Sequence, residues 1–167
     1  MDVPRIHVDR ADGGHCRWDD LADGWDRRVA RNRVAATVND LVSTLALARV
    51  DALKKHHPIV VCASADGTTC KWTNDWNNGW IAALDTTEYG DFTLSGASFR
   101  TIRSHPPVTG VQVYLQMNGK FTGFNGFGFP LSTGRVLVSE TRGSDPQTVC
   151  VTLSGEVYAV SGSGFCR

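Results

Sequence analysis

From Val29 to about His56 the apolar positions Val34, Val38, Leu41, Val42, Leu45, Ala48, Ala52 and Leu53 recur every three or four residues. That is the period of an amphipathic helix with one buried stripe. Arg33, Asn39, Asp40 and Lys54 belong to the opposite face. Lys54, Lys55, His56 and His57 fall in the last turn, where the helix dipole favours positive charge, and Pro58 stops the helix. After Pro58 the pattern becomes short apolar or alternating runs separated by Gly, Asn, Asp and Pro, which predicts strands. They are expected near Ile59–Ala63, Trp80–Leu84, Thr93–Ile102, Val111–Met117, Phe121–Phe124, Arg135–Ser139, Thr148–Leu153 and Val157–Val160. Asn118-Gly119 is expected to join the fourth and fifth as a tight hairpin, and Ser154-Gly155 suits another. One long helix followed only by strands predicts an α+β fold, the helix lying on an antiparallel sheet or sandwich.

The first 28 residues break this pattern, with five basic and seven acidic groups, two Trp and almost no aliphatic periodicity. The expected organisation is therefore an atypical leader over 1–28, disordered or out of frame, and a globular head over 29–167. In the head the helix occupies about 29–56 and 58–167 is β-rich. As a whole the chain has 167 residues, 41% hydrophobic and 20% charged, the balance of one soluble globular domain. Its 17 Lys+Arg cancel 17 Asp+Glu, so any nucleic-acid or membrane partner needs a local patch rather than a global field. The head alone carries 12 basic and 10 acidic groups. No window reaches the roughly 20 apolar residues of a membrane span, and in this frame the chain shows no recognisable export signal.

Five cysteines sit uneasily with that absence, because no Cys-x-x-Cys pair exists to hold zinc. Cys62 and Cys70 bracket one short loop, and Cys150 and Cys166 bracket a longer one, so two local disulfides are expected, with Cys16 left over. Spacing alone allows other pairings, and five reduced buried thiols are the alternative.

Catalytic grammar is missing: there is no Gly-x-Ser-x-Gly elbow, phosphate-cradling Gly loop, His-Glu-x-x-His or nucleotide fingerprint. No enzyme activity, cofactor or small-molecule substrate is expected. His7, Asp9, Asp12 and His15 could be metal ligands, but they lie in the least patterned segment. Asp66, Asn74, Asp75, Asn77 and Asn78 offer calcium-type oxygens without the positions of a calcium loop, and turn formation is the favoured role. Trp72, Trp76 and Trp80 could form an aromatic ledge for sugars or bases, or pack over the Cys62 to Cys70 loop and the sheet. Lys71, Arg100, Arg103, His105, Lys120, Arg135, Arg142 and Arg167 would contact phosphates only if the fold gathers them on one face.

Three segments carry a family resemblance: Ala30 to Arg49, Pro58-Ile-Val-Val-Cys-Ala-Ser-Ala-Asp-Gly-Thr-Thr-Cys70, and Trp76-Asn-Asn-Gly-Trp-Ile-Ala-Ala-Leu-Asp85. In order and spacing they resemble the FimT/GspH family of type IV minor pilins and type II secretion pseudopilins. The resemblance resumes weakly at Phe124 to Phe129 and Val149 to Cys166. It implies a pilin-like subunit whose long N-terminal helix anchors it in the inner membrane and packs against other pilins, below a periplasmic β-rich head. Localisation would be the inner membrane with a periplasmic head, or an extracellular pilus.

The family's Gly-Phe-Thr-Leu-Ile-Glu leader junction does not occur in this frame. Back-translated and read one base later, however, Arg5 to Trp18 can spell Gly-Phe-Thr-Leu-Ile-Glu-Leu-Met-Val-Ala-Ile-Ala-Val-Gly. Residues up to about Arg28 are therefore expected to be an out-of-frame leader and anchor, the alternative being a genuine acidic leader. The functional expectation is a non-enzymatic minor pilin that contributes to pilus assembly or its tip complex, with a secretion pseudopilin as an alternative. A DNA-uptake pilin is a further alternative. The family's Gly-Arg-x-Arg motif falls on Gly155-Glu156-Val157-Tyr158, where Glu156 replaces a base, so only Arg135, Arg142 and Arg167 remain as possible DNA contacts.

Overall fold

The computed structural model describes residues 18–86, 99–141, 146–164 and 166, with the side chains of 18–24 outside that description. Helix α1 spans Trp18–Lys55, so it begins well before the Val29 start that periodicity predicts. The added segment contains no proline to stop a helix. An apolar stripe reports burial, whereas a helix also extends where nothing covers it. The helix ends as His56 takes a left-handed backbone, φ 54°, ahead of Pro58.

Val34, Val38, Leu41, Leu45, Ala48 and Ala52 are buried along one face of α1. Each large apolar side chain on that stripe contributes about 1.5–3 kcal/mol. Leu53, expected in the stripe, is 44% exposed: it lies about 100° round the helix from the buried Ala52 and sits beside Gly128. Thr37 and Thr44 are buried too, but their hydroxyls donate back to the carbonyls of Arg33 and Asp40 at 2.9 and 2.7 Å, so neither is left unpaired.

Eight strands follow among the described residues: β1 Ile59–Ala63, β2 Trp80–Asp85, β3 Phe99–His105, β4 Val111–Met117, β5 Phe121–Phe124, β6 Gly134–Glu140, β7 Gln147–Val151 and β8 Val157–Ser161. They form two antiparallel four-stranded sheets, ordered β3-β2-β1-β5 and β4-β6-β7-β8. The α+β class and the single helix lying on antiparallel sheets are therefore what the structure shows. Helix α1 touches strands of both sheets, and its stripe joins Ile59, Val61, Leu115, Val136, Val138 and Val149 in one core. β1 is buried on both faces, since Val60 and Cys62 enter a second cluster with Ile81 and Ala83.

The Asn118-Gly119 hairpin is not formed. β4 pairs with β6 and β5 pairs with β1, so the two strands expected to pair belong to different sheets. Neither Asn118 nor Gly119 adopts the positive φ that a tight hairpin turn demands. Instead Gly123, φ 151°, lets β5 press onto β1, where any Cβ would strike the Ile59 carbonyl. The strand expected at Thr93–Ile102 is seen from Phe99 to His105, and its earlier part lies outside the described residues. The Ser154-Gly155 hairpin between β7 and β8 is present, with Gly155 at φ 77° and its amide 2.9 Å from the Thr152 carbonyl.

Candidate interaction surface

The upstream part of α1 is the feature least absorbed by the head. Trp25, Asp26, Arg27 and Arg28 are all exposed, Trp25 at 70%, and the first core residue of the helix is Val34. The stretch from Trp18 to that point is roughly 24 Å long at the helical rise. It carries Arg27, Arg28 and Arg31 at spacings of one and three. Their helical spacing is visible in the sequence. Where α1 meets the head, a cleft is lined by Arg31, Asn32, Val34 and Ala35 on the helix and by Pro146, Gln147, Ser161 and Gly162. A second groove, between Leu47, Asp51 and the β3 residues Ile102 and Arg103, runs along the other flank of the helix.

Of the cations read as possible DNA contacts, Arg135 lies among the described residues. Arg135 is half-buried on β6, donating through Nε to Gln116 Oε1 at 2.7 Å and through a guanidinium nitrogen to the carbonyls of Ser163 and Gly164 at 3.2 and 3.1 Å. It ties down the C-terminal tail. Arg142 and Arg167 lie outside the described residues. Arg103 approaches Ser43 at 3.4 Å. His105 stacks on Trp80 with ring centroids 3.9 Å apart, its Nε2 3.3 Å from Asp40 Oδ2 and its Nδ1 2.7 Å from the Pro106 carbonyl. This histidine braces α1 against β3.

The tryptophans divide between the two roles left open for them. Trp76 and Trp80 are fully buried, while Trp72 is 59% exposed with its ring 5.5 Å from Phe121. A three-residue aromatic ledge is therefore not present. Of the polar loop residues, Asp75 serves a turn, its Oδ1 accepting from the Asn77 amide at 2.9 Å, while Asn77 ties the loop to β4, its Oδ1 accepting from the Val113 amide at 2.7 Å. No grouping of three or more His, Cys, Asp or Glu able to hold a metal occurs among the described residues, and His7, Asp9, Asp12 and His15 lie outside them.

Disulfides join Cys62 to Cys70 and Cys150 to Cys166, with Cα atoms 5.6 and 5.5 Å apart. Cys16 lies outside the described residues. Within the first loop Asp66 acts as a hub: the Thr69 hydroxyl, then the Thr69 and Thr68 amides, hold its carboxyl well below the usual carboxylate range. The folded value is the lower one, so the loop's stabilisation by this carboxylate is complete above the unfolded carboxylate range. It is lost only as pH falls through the folded range. An NMR titration should find Asp66 still ionised near about pH 3, below exposed acids of ordinary affinity. A midpoint at the ordinary aspartate value would contradict the hub geometry.

The family described as type II transport protein GspH matches residues 37–155. No curated protein sequence matches the chain. Two crystal forms of the Pseudomonas aeruginosa (strain PAO1) type IV minor pilin FimU share the fold. In space group P21 the TM-score is 0.57 at 16% identity, covering 80% of this chain and 95% of FimU. In P65 it is 0.54 at 15% identity, covering 77% and 97%.

Proposed function

Because the chain belongs to the GspH family, the minor pilins and pseudopilins of the GspH/FimU type, we propose that it is a non-enzymatic subunit that contributes to the assembly or tip complex of a type IV pilus. The observation that carries this reading is α1 itself. Its stripe from Val34 to Ala52 is spent on the head's own core, while Trp25 to Arg28 continue as exposed helix available to neighbouring helices. A filament subunit needs that division of one helix into a head-binding half and a partner-binding half. Its place would be the inner membrane with the head on the periplasmic side, or the pilus outside the cell, where disulfides persist. No helix among the described residues is long and apolar enough to cross a membrane.

Deleting the gene should reduce surface pili in sheared fractions, with exoprotein secretion unchanged. Complementation with the head lacking the helix before Val34 should fail. The pseudopilin alternative predicts the reverse, intact pili and lost secretion. For DNA uptake the support is weaker, since Arg135 is engaged in fixing the tail. If DNA is nonetheless the ligand, a mobility shift by the purified chain should weaken steeply with salt, as counterion release requires. An equal absence of shift at low and moderate salt removes that alternative.

A further inference from the structure

Sheet edges are pairing templates, and this fold guards three of its four. β5 is covered by residues 130–131, through the Phe124–Pro130 bridge and the Leu131 amide donating to the Gly123 carbonyl at 2.9 Å. β4 is covered by residues 74–77: the Trp76 amide donates to the Val113 carbonyl at 2.9 Å and the Leu115 amide to the Asn74 carbonyl at 2.8 Å. β3 is interrupted by a bulge that leaves Ile102 out of register, and it carries Arg100 and Arg103. Bulges and charges are the usual means of blunting an edge.

β8 has none of these devices. Its sequence Val-Tyr-Ala-Val-Ser contains no charge and no proline, and its register with β7 is unbroken. The Thr152 amide donates to the Glu156 carbonyl at 3.0 Å and the Gly162 amide to the Pro146 carbonyl at 2.7 Å, marking both ends of the ladder. Antiparallel alternation then assigns Tyr158 and Val160 to the bonds with β7, and turns the N–H and C=O groups of Val157, Ala159 and Ser161 outward. Among the described residues no hydrogen bond reaches these outward groups. Ala159 and Ser161 are exposed.

We propose that β8 is a pairing edge to which a second copy of this chain adds its own β8 antiparallel, fusing two four-stranded sheets into one. The strand is self-complementary about Ala159. Ala159 faces Ala159 and Val157 faces Ser161 twice, so every outward donor and acceptor is used in about six hydrogen bonds around a two-fold axis. The same register sets Glu156 of one copy opposite Gly162 of the other. The proposal rests on the sheet edge and does not depend on the pilus reading.

Sedimentation velocity of the full chain across the micromolar range should show a monomer–dimer equilibrium. Amide exchange should show protection of the 155–162 segment rising with concentration. Ala159→Pro deletes an outward N–H without removing a bond to β7, and edge strands tolerate proline at such positions. It should weaken dimerisation about tenfold or more, with circular dichroism unchanged. Ser161→Pro is a second variant of the same kind, should the first fail to fold. A chain monomeric throughout the range, a folded proline variant that dimerises with unchanged affinity, or protection gained on β3 or the Gly128 loop instead of β8 would each overturn the proposal.

Discussion

Replacing Trp80 with alanine is expected to destabilise the head by about 3–5 kcal/mol, the range for emptying a fully buried aromatic site. Trp80 is the first residue of β2, paired with Ala63 on one side and His105 on the other. Its indole is fully buried, with Nε1 3.5 Å from the Thr44 hydroxyl and the ring stacked on His105. The substitution therefore opens a cavity beneath the helix. It also removes the surface that holds His105 near Asp40, loosening α1 from β3. Urea denaturation should show a lower midpoint at unchanged slope. Trp72→Ala is the matched control: that side chain is 59% exposed and loses mainly its contact with Phe121, so a loss of about 1 kcal/mol is expected. Equal effects at the two positions would contradict the burial argument.

Removing the Cys150–Cys166 bridge, as the double change Cys150→Ser and Cys166→Ser, is expected to cost about 3 kcal/mol on chain-entropy grounds for a loop of this size. The bridge spans 16 positions and encloses the end of β7, the turn and the whole of β8. Without it the C-terminal tail depends on Arg135, whose bonds to the Ser163 and Gly164 carbonyls are single hydrogen bonds at the surface. The Cys62–Cys70 bridge spans 8 positions, and its loss should cost somewhat less. Together the two losses come to about 5 kcal/mol, comparable with the entire stability of many domains. Denaturation with and without reductant reads this directly. A reduced chain with the oxidised midpoint would show that the bridges add little to folding.

The α+β class could be read from the sequence because it depends on local periodicity. The three-and-four spacing of Val34 to Ala52 and the alternation in Val111 to Met117 each encode which face is inward. What could not be read depends on which strand lies beside which. Asn118-Gly119 is a sound local hairpin signal, yet the chain at that point crosses between sheets, a choice made by Gly123 fitting against Ile59 far away in sequence. The tryptophans show the same limit. Trp72, Trp76 and Trp80 are equivalent at four-residue spacing, and only the path of the 74–77 segment along β4 separates buried from exposed. At the candidate interaction surface, the exposed upstream helix was hidden because exposure leaves no periodic stripe, and β8's open edge because strand pairing is not written in one strand alone.

Because the buried stripe of α1 packs against strands of both sheets over about five turns, a pull along its axis would not peel the head open one contact at a time. Val34, Val38, Leu41, Leu45, Ala48 and Ala52 would have to slide together past their partners on both layers. Simultaneous rupture is slow, and resistance to force is set by that unfolding rate rather than by equilibrium stability. The same stripe that folds the head thus gives it the mechanical character of a shear-loaded joint, able to carry tension delivered through its helix.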